Sequence, residues 1–322
     1  MDPDLVRHRL KLQHLKVVAA VAEWGSMAKA AQHLAISQPV VSKVVADLEE
    51  MLGVVLFDRS PRGVEPTLYG RALLRRSLAV FDDLKAGIDE IRFLADPTAG
   101  ELRIGSTEPL LAGLGFAVID RLCQQRPGII FDVVQGDSAT LLNHDLPERR
   151  IELAIVPLLT GVVADDQEAT VLFKDRLRVV VGAQSPWARR RRVALADLLD
   201  EPWCLARSAI GLQVSDAFPA SGLKRPRVAV TTTTAHLLFQ LLETGRFVGH
   251  FGEGLLYFFA NRFAVRKLPI ELPLAPFTVA IVTLKNRTIS PLAQLFIDCA
   301  REVAKPLTER TGSTGRAGRT KR

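Results

Sequence analysis

The chain has 322 residues, too many for one small domain, and its 48% hydrophobic and 24% charged residues are typical of a soluble globular protein. Its three cysteines, Cys123, Cys204 and Cys299, are far apart, which excludes a disulfide framework and a cysteine metal site and favours a reducing cytoplasm. The N-terminus lacks the apolar core of a signal peptide, and the apolar runs are too short to span a bilayer. We therefore expect a cytoplasmic protein that uses no metal or cofactor.

The charge of the chain is unevenly distributed. The formal net charge is +7, yet basic and acidic residues balance over 1–66, whereas 305–322 carry an excess of five positive charges. Bulk charge therefore gives no reason to expect that the N-terminal region binds nucleic acid, and such evidence must come from the placement of particular side chains. The Gly-, Thr- and Arg-rich end predicts a basic disordered tail over 306–322, which would add salt-sensitive DNA affinity.

Three helices are expected at the start of the chain. Apolar residues at helical spacing form one face of the first helix, which ends at Gly25, and Ser26 is suited to cap a short second helix over 27–34. After a tight turn at 35–36, Ser37 is a natural N-cap for a third helix. Turn chemistry at 60–63 then predicts a small β-hairpin, or wing.

The third helix presents a polar edge at its N-terminal end, opposite a stripe of Val and Leu. A recognition helix offers this end to the DNA major groove, where Gln pairs with adenine and Lys pairs with guanine or phosphate. Basic residues in the wing are suited to a minor groove or a phosphate backbone. The side chains concerned are Gln38, Pro39, Ser42, Lys43, Arg59 and Arg62. On the residues alone, a three-helix core with a solvated polar face remains the alternative.

A long linker helix is expected over 68–95, with Thr67 as its cap. The apolar residues of this helix form one stripe with approximately heptad spacing. Because the sequence pattern provides no adjacent core that could cover this stripe, it predicts that the helix pairs with a partner helix in a dimer. The seam residues are Leu74, Leu78, Phe81, Leu84, Ile88 and Ile91. A hinge is expected over 96–101.

Strands and helices alternate from residue 102 to about 305, which predicts mainly parallel sheets in two α/β subdomains around a cleft. We place subdomain I at about 102–158 and 270–305 and subdomain II at about 159–269. The fold class is therefore α+β and multi-domain, with an N-terminal winged helix-turn-helix domain over 1–67.

The N-terminal region closely resembles that of LysR-type transcriptional regulators. The matching pieces are Gly25-Ser26, Ala30-Ala31, Leu34, Ser37-Gln38-Pro39, Val41-Ser42, Leu48-Glu49, Leu52-Gly53, Leu56-Phe57, Arg59, Thr67 and Gly70. The resemblance extends in architecture to Lys305 and implies a regulatory module like periplasmic binding proteins.

The resemblance implies a DNA-binding regulator whose promoter binding is modulated by a small-molecule effector. Ser37 and the recognition-helix residues would meet bases and phosphates, while Ser26, Arg59 and Arg62 would meet the backbone or minor groove. The linker helix would pair with that of another subunit, and such dimers would assemble into a homotetramer. The implied partners are double-stranded promoter DNA with dyad symmetry and RNA polymerase.

Effector contacts are expected in the loops around the cleft. The resemblance assigns this role to Ser106 and Thr107, and the neighbouring loops add Pro157, Leu158, Arg207, Ser208, Thr233 and Thr234. Glu108 departs from the family pattern and would weaken anion binding unless it turns away. His250 would either alter the cleft or only pack. The stretch PRGVEPTLYGRALL resembles regulators of sugar-uptake and aromatic-acid genes within the family, and this resemblance faintly favours a sugar, sugar acid or aromatic acid as effector.

No motif in the chain indicates catalysis. Gly113-Leu114-Gly115 lacks the third glycine and the acidic partner of a dinucleotide fingerprint, and no GxSxG, HExxH, Walker or CxxC pattern occurs. The rival interpretation is a cytoplasmic small-molecule-binding α/β protein or enzyme that carries a helical interaction domain. The sequence indicates neither the operator, nor the effector, nor the sign of regulation.

Overall fold

The structure, a computed structural model, describes residues 9–60, 63–259 and 262–314, and only the backbone over 310–314. The chain divides into a first unit, Met1–Ile88, and a second unit, Asp89–Arg322. No helix in the described ranges combines the length and apolarity that crossing a membrane would require.

The first unit begins with helices α1 (Leu12–Trp24), α2 (Met27–His33) and α3 (Gln38–Leu52). Helices α1 and α3 end at glycines with φ of 59° and 68°, a left-handed conformation that favours glycine. One apolar face of α1 and one of α3 are fully buried against α2; the valines and leucines concerned are Val17, Val18, Val21, Val41, Val45 and Leu48.

The wing consists of strands β1 (Phe57–Ser60) and β2 (Gly63–Pro66), paired antiparallel. Glu49, near the end of α3, holds the segment that enters the wing. Its Oε1 accepts hydrogen bonds from the backbone N–H groups of Leu56 at 2.7 Å and Phe57 at 3.2 Å. Since both N–H groups are inside the domain, this carboxylate fixes the wing to α3.

Helix α4 (Leu68–Ala95) follows the wing, with the bounds that the sequence predicts. The Thr67 hydroxyl accepts a hydrogen bond from the backbone N–H of Gly70 at 3.1 Å and donates to the Val55 carbonyl at 2.7 Å. Gly70 lies so close to the Leu56 carbonyl oxygen that a β-carbon would overlap it. The first turn of α4 is therefore tied to the base of the wing.

The second unit contains two five-stranded mixed sheets. The first sheet has the order β4 (Gly128–Gln135), β3 (Ala99–Ser106), β5 (Leu153–Leu158), β12 (Phe277–Leu284) and β6 (Gln167–Asp175). The second has the order β11 (Val265–Glu271), β7 (Leu177–Gly182), β10 (Val248–Gly252), β8 (Trp203–Ala206) and β9 (Val228–Thr232). The sheets are mixed rather than mainly parallel because β12 runs antiparallel to β5 and β6, and β7 runs antiparallel to β10 and β11.

The chain crosses between the subdomains later than the sequence indicates. Strand β6 belongs to subdomain I, because it pairs with β12 over its whole length, from Phe277↔Asp175 to Leu284↔Gln167. The expectation that subdomain II begins at about 159 is therefore wrong, and the crossing lies at Arg176, between β6 and β7. Strand β3 likewise begins at Ala99, inside the expected hinge, because the whole strand pairs with β4.

Helices cover the two sheets. They are α5 (Phe116–Gln125), α6 (Ala209–Ala220), α7 (Ala235–Glu243), α8 (Glu253–Phe259) and α9 (Pro291–Thr314). Helix α5 is preceded by a helical turn, Glu108–Leu110, and a π-helical turn, Leu111–Gly115; a similar pair, Ser138–Thr140 and Leu141–Asp145, follows β4. Short 3₁₀ helices span Pro186–Arg189 and Leu195–Leu198. The sequence analysis did not identify α8 or β11.

Helix α9 extends into the region predicted to be a disordered tail. It continues beyond Pro306 to Thr314, so the prediction is wrong for 306–314, and the rest of the tail lies outside the described residues. Leu307 explains the extension, because its side chain is buried in the main core of the second unit. This apolar contact outweighs the missing N–H of Pro306.

Candidate functional site

The N-terminal edge of α3 is accessible in the first unit. Gln38, Pro39 and Lys43 are exposed and Ser42 is half-buried, while the Val and Leu stripe of the same helix faces the core. Ser37 precedes the first turn and makes no side-chain capping bond within the described chain. At a helix start of this kind, hydroxyl groups can contact phosphates, and the side chains of the first turns can contact bases.

The residues predicted to flank the recognition helix have different roles. Ser26 is half-buried and caps α2, since its Oγ accepts a hydrogen bond from the Lys29 N–H at 3.4 Å. Arg59 is exposed on β1. Arg62 lies outside the described residues.

Val40 is a candidate contact that the sequence analysis missed. Its side chain lies at the start of α3 and is 43% exposed, although it is apolar. Apolar side chains at this position of a recognition helix can contact the methyl group of thymine. The available signal was its position on α3, because Val40 lies off the stripe formed by Val41, Val45 and Leu48, which is the buried face of the helix.

The predicted seam of α4 is largely uncovered in a single chain. Leu78, Leu84, Ile88 and Ile91 are exposed, with Ile91 at 69%, while Leu74 and Phe81 are half-buried. Four large apolar side chains on one helix stripe form a contiguous apolar surface of the kind that marks an interaction site.

Two adjoining cavities lie between the subdomains of the second unit. The outer cavity has a volume of about 590 Å³ and the inner one about 80 Å³. Both are lined by loops at the ends of strands, and Thr107, Pro157 and Ser208 contribute to both walls. In sheets with parallel strands, such strand ends are where ligands generally bind.

The structure brings together most of the predicted effector residues. Leu158 and Arg207 join Thr107, Pro157 and Ser208 around the outer cavity. Ser208 lies at the start of α6, next to the end of β8. The close approach of α6 to this strand end requires glycine at position 211, because a β-carbon there would overlap the Ala206 carbonyl oxygen.

Two predicted residues are not part of the lining that the structure describes. Ser106 is fully buried, and its hydroxyl donates to the Ile155 carbonyl at 3.1 Å, so its bonding capacity is used inside subdomain I. The strand continues through Ser106, and only Thr107 turns into the cleft. Thr234 is exposed at the start of α7, and its neighbour Thr233 lines the cavities instead.

The end of β4 and the segment that follows it supply polar residues that the sequence analysis missed. Gln135, Asp137, Ser138 and Asn143 line the outer cavity. Hydrogen bonds from the Thr140 backbone and hydroxyl hold the pKa of Asp137 below its usual value, so this carboxylate is ionised. The alternation of strands and helices was the available signal, because the carboxyl ends of parallel strands lie at one edge of a sheet.

Glu108 bridges the cleft. Its Oε2 accepts a hydrogen bond from the backbone N–H of Ala235 at the start of α7, with a donor–acceptor distance of 2.8 Å. Burial raises the pKa of Glu108, and the backbone N–H groups of Ala235 and His236 partly offset that effect. The carboxylate of subdomain I therefore occupies the anion-binding end of a helix in subdomain II.

The inner cavity contains two buried titratable side chains, Asp175 and His250. Burial raises the pKa of Asp175 to about 6, against hydrogen bonds from the backbone of Arg176 and Gly254. Burial lowers the pKa of His250 to about 4, so the imidazole is neutral. His, Cys, Asp and Glu side chains form no group of three suited to a metal ion within the ranges that the structure describes.

Two family models match the chain. Residues 12–71 match the bacterial regulatory helix-turn-helix protein of the lysR family, and residues 95–305 match the LysR substrate binding domain.

Comparisons with individual proteins agree with the two family models. The chain is 27% identical over 304 residues to the HTH-type transcriptional regulator GbpR of Azospirillum brasilense, a match that covers 92% of this chain and 87% of GbpR. A full-length OxyR variant from Pseudomonas aeruginosa superposes with a TM-score of 0.67 at 21% identity, covering 93% of this chain and 98% of OxyR. Full-length CbnR complexed with its target DNA gives a TM-score of 0.59 at 20% identity, covering 91% of this chain and 100% of CbnR.

The two matched regions account for the helical first unit and for the two α/β subdomains of the second. Family and relatives are transcriptional regulators rather than enzymes, which decides against the rival interpretation. The chain belongs to the LysR family of DNA-binding transcriptional regulators, with an effector-binding domain after the linker helix.

Proposed function

We propose that the N-terminal edge of α3 reads the bases of promoter DNA with dyad symmetry. The observation that carries this proposal is the combination of exposed Gln38 and Lys43 with half-buried Ser42, on a helix whose opposite face is fully buried. Gln and Ser hydrogen-bond base edges, and Lys adds contact with guanine or phosphate. CbnR, a structural neighbour, has been solved with its target DNA, which agrees with this use of the fold.

Arg59, Ser26 and Ser37 would then contact the sugar-phosphate backbone. Arg59 is exposed on the first wing strand, and Ser37 is exposed at the start of α3. Such contacts position a protein on the duplex without specifying sequence. They should therefore change affinity by similar factors on all DNA sequences.

A gel shift with the promoter region upstream of the protein's own gene tests base reading. Gln38→Ala and Ser42→Ala should each weaken the specific complex, since one good base contact contributes about 1–3 kcal/mol of discrimination. Gln213→Ala, at an exposed glutamine on α6, is the matched control and should bind like the parent. If both α3 variants bind like this control, base reading by α3 is wrong.

We propose that α4 pairs with the same helix of a second chain, and that the dimers assemble into a homotetramer. The apolar stripe that ends with Ile88 and Ile91 supports the pairing, since its exposed side chains would be covered in a dimer. The double variant Phe81→Glu/Ile88→Glu should be monomeric by light scattering. The matched control, Asp83→Ala/Glu90→Ala, changes exposed positions of the same helix outside the seam. A persistent oligomer in the seam variant would contradict the pairing.

We propose that a small effector binds in the outer cavity, and that its binding modulates promoter affinity in the cytoplasm, where RNA polymerase would respond. The volume of about 590 Å³ suits a metabolite-sized molecule, and Thr107, Ser208 and Thr233 place hydroxyls from both subdomains around it. A sugar would use these hydroxyls, whereas the carboxylate of a sugar acid or aromatic acid would pair with Arg207.

A thermal-shift screen of sugars, sugar acids and aromatic acids tests the effector proposal. A ligand that binds only the folded state raises the melting temperature. Arg207→Gln should abolish the shift caused by an acid and preserve the shift caused by a neutral sugar. A ligand whose shift is unchanged after Ser208 and Thr233 are both replaced by Val would place its site elsewhere.

A further inference from the structure

The contact between Glu108 and Ala235 lies far from the points at which the chain crosses between the subdomains. The chain crosses from β6 to β7 and returns from β11 to β12, and these four strands lie at one side of their sheets. Glu108 follows β3, near the other side of the first sheet, and Ala235 begins α7 after β9, the opposite edge strand of the second. The hydrogen bond from the Gly254 N–H to Asp175, by contrast, lies directly beside the crossing at Arg176. A contact far from the crossing resists rotation of the subdomains about it more effectively than one beside it.

The hydrogen bond to Glu108 has the features of a strong one. The donor–acceptor distance of 2.8 Å is typical of a bond from an N–H to a carboxylate. Burial raises the pKa of Glu108, but the backbone N–H groups of Ala235 and His236 oppose this effect by stabilising the charged carboxylate. Ala235 is only 3% exposed, so its N–H has little access to water. Removing the carboxylate without moving the subdomains would therefore leave a buried N–H without this acceptor, which is unfavourable.

The segment that carries Glu108 also packs across the cleft. The helical turn that begins at Glu108 continues into the π-helical turn Leu111–Gly115. A β-carbon on Gly113 would lie 3.1 Å from Phe258 and 3.2 Å from Leu255, both in α8 of subdomain II. This apolar contact is not directional, so it holds the two surfaces together without fixing their relative position. The directional hydrogen bond to Ala235 supplies that position.

We propose that Glu108 is a latch that holds the two subdomains together in the absence of an effector. Its carboxylate fills the start of α7 as a bound anion would, but it belongs to the chain itself. The start of α7 is part of the cleft wall, since Ala235 lines the inner cavity. The latch therefore keeps both walls of the cleft in place before any ligand enters.

The latch has a consequence for the effector that rests on the proposed function. Thr107 and Ser208 line the outer cavity from different subdomains, so a ligand that contacts both walls binds the latched arrangement. Loss of the latch lowers the population of that arrangement, and the apparent affinity for the effector should fall by the same factor. An acidic effector also finds the start of α7 occupied, which leaves Arg207 as its partner.

Hydroxyl-radical footprinting of the full-length protein, without DNA or effector, tests the latch. Phe251 of subdomain II and Phe277 of subdomain I line the inner cavity and are 5% and 8% exposed, so their oxidation reports opening of the cleft. Glu108→Ala should raise the oxidation of both about ten- to hundredfold, the effect of one hydrogen bond to a charged group. Trp203, fully buried in the core away from both cavities, should stay unreactive.

Acetate provides a further test, because it matches the side-chain atoms that Glu108→Ala removes. At matched ionic strength and radical dose, acetate should return the oxidation of this variant towards that of the parent, and neutral acetamide should do so less. Glu101→Ala, at an exposed glutamate on β3, is the matched control and should behave like the parent. Glu108→Gln keeps an acceptor oxygen without the charge and should give a smaller rise, so it decides if the Ala variant fails to fold.

Unchanged oxidation of Phe251 and Phe277 after loss of the carboxylate would overturn the proposal. An equal rise at Trp203 would overturn it as well, because Glu108 would then support folding rather than closure. Failure of acetate to reverse the rise would overturn the role of the carboxylate. These outcomes are distinct from a failure of the proposed function, since neither effector nor DNA is present. A confirmed latch with unchanged effector affinity in Glu108→Ala would keep the latch and place the effector away from the outer cavity.

Discussion

Acid should destabilise the second unit through His250. Burial lowers the pKa of its imidazole from 6.5 to about 4 in the folded protein. Between these pH values the unfolded chain carries the proton and the folded chain does not, so the free energy of unfolding falls as the pH falls. At about 1.4 kcal/mol for each pKa unit, the loss is about 3 kcal/mol once the pH reaches about 4.

Asp175 acts in the opposite direction over an overlapping range. Burial raises its pKa from 3.8 to about 6, so the folded state binds its proton more tightly, and this contribution to stability decreases as the pH rises through that range. The pH dependence of the parent chain alone therefore understates the effect of His250. The difference between the parent and His250→Gln isolates it, since Asp175 is present in both.

Urea unfolding followed by tryptophan fluorescence measures this difference. A Trp24→Phe background leaves Trp187 and Trp203, both in the second unit, as the reporters. Between about pH 7 and about pH 4, the parent should lose about 3 kcal/mol more than His250→Gln. His144→Gln, at an exposed histidine, controls for loss of an imidazole. Equal losses in the parent and His250→Gln would refute the buried, neutral His250.

Three substitutions in the first unit test its local physics by thermal unfolding. Glu49→Ala should lower the free energy of unfolding by about 1–3 kcal/mol, because it removes the acceptor for the N–H groups of Leu56 and Phe57. Glu49→Gln keeps an acceptor oxygen and should retain most of the stability. Equal stability of the two variants would contradict the role of this acceptor. Ala35→Gly should stabilise by roughly 0.5–1 kcal/mol, because residue 35 has φ of 53°, and a loss of stability would contradict strain at this turn. Gly70→Ala should destabilise the protein by about 1–3 kcal/mol despite the better helix propensity of Ala, because the added methyl group overlaps the Leu56 carbonyl. A gain in stability would show that α4 can shift to make room for it.

Local sequence signals were sufficient for the first unit. The glycines that end α1 and α3, the cap at Thr67 and the buried stripe of α3 act within a few residues of one another, so their spacing predicts the elements that form. The exposed edge at Gln38 and Lys43 then follows, because burying one face of a helix exposes the other.

The cleft depends on contacts that no local pattern encodes. The pairing of β6 with β12 joins segments more than 100 residues apart, so the crossing at Arg176 could not be derived from alternating strands and helices. Glu108 and Ala235 are separated by 127 positions. The hydrogen bond from the Ala206 N–H to Nε2 of His250 joins two neighbouring strands. Sequence analysis identified Glu108 and His250 as unusual but could not supply their partners.

The most direct test of the central claim is DNA cleavage from a single position on α3. An iron chelate attached to Lys43→Cys, in a Cys123→Ser background that removes the exposed native thiol, should cut promoter DNA within the major groove. Because a dimer presents two recognition helices, the cuts should fall in two clusters about 10 base pairs, or a multiple of this, apart. A protein that still binds the promoter but gives no cleavage from position 43 would contradict recognition by α3.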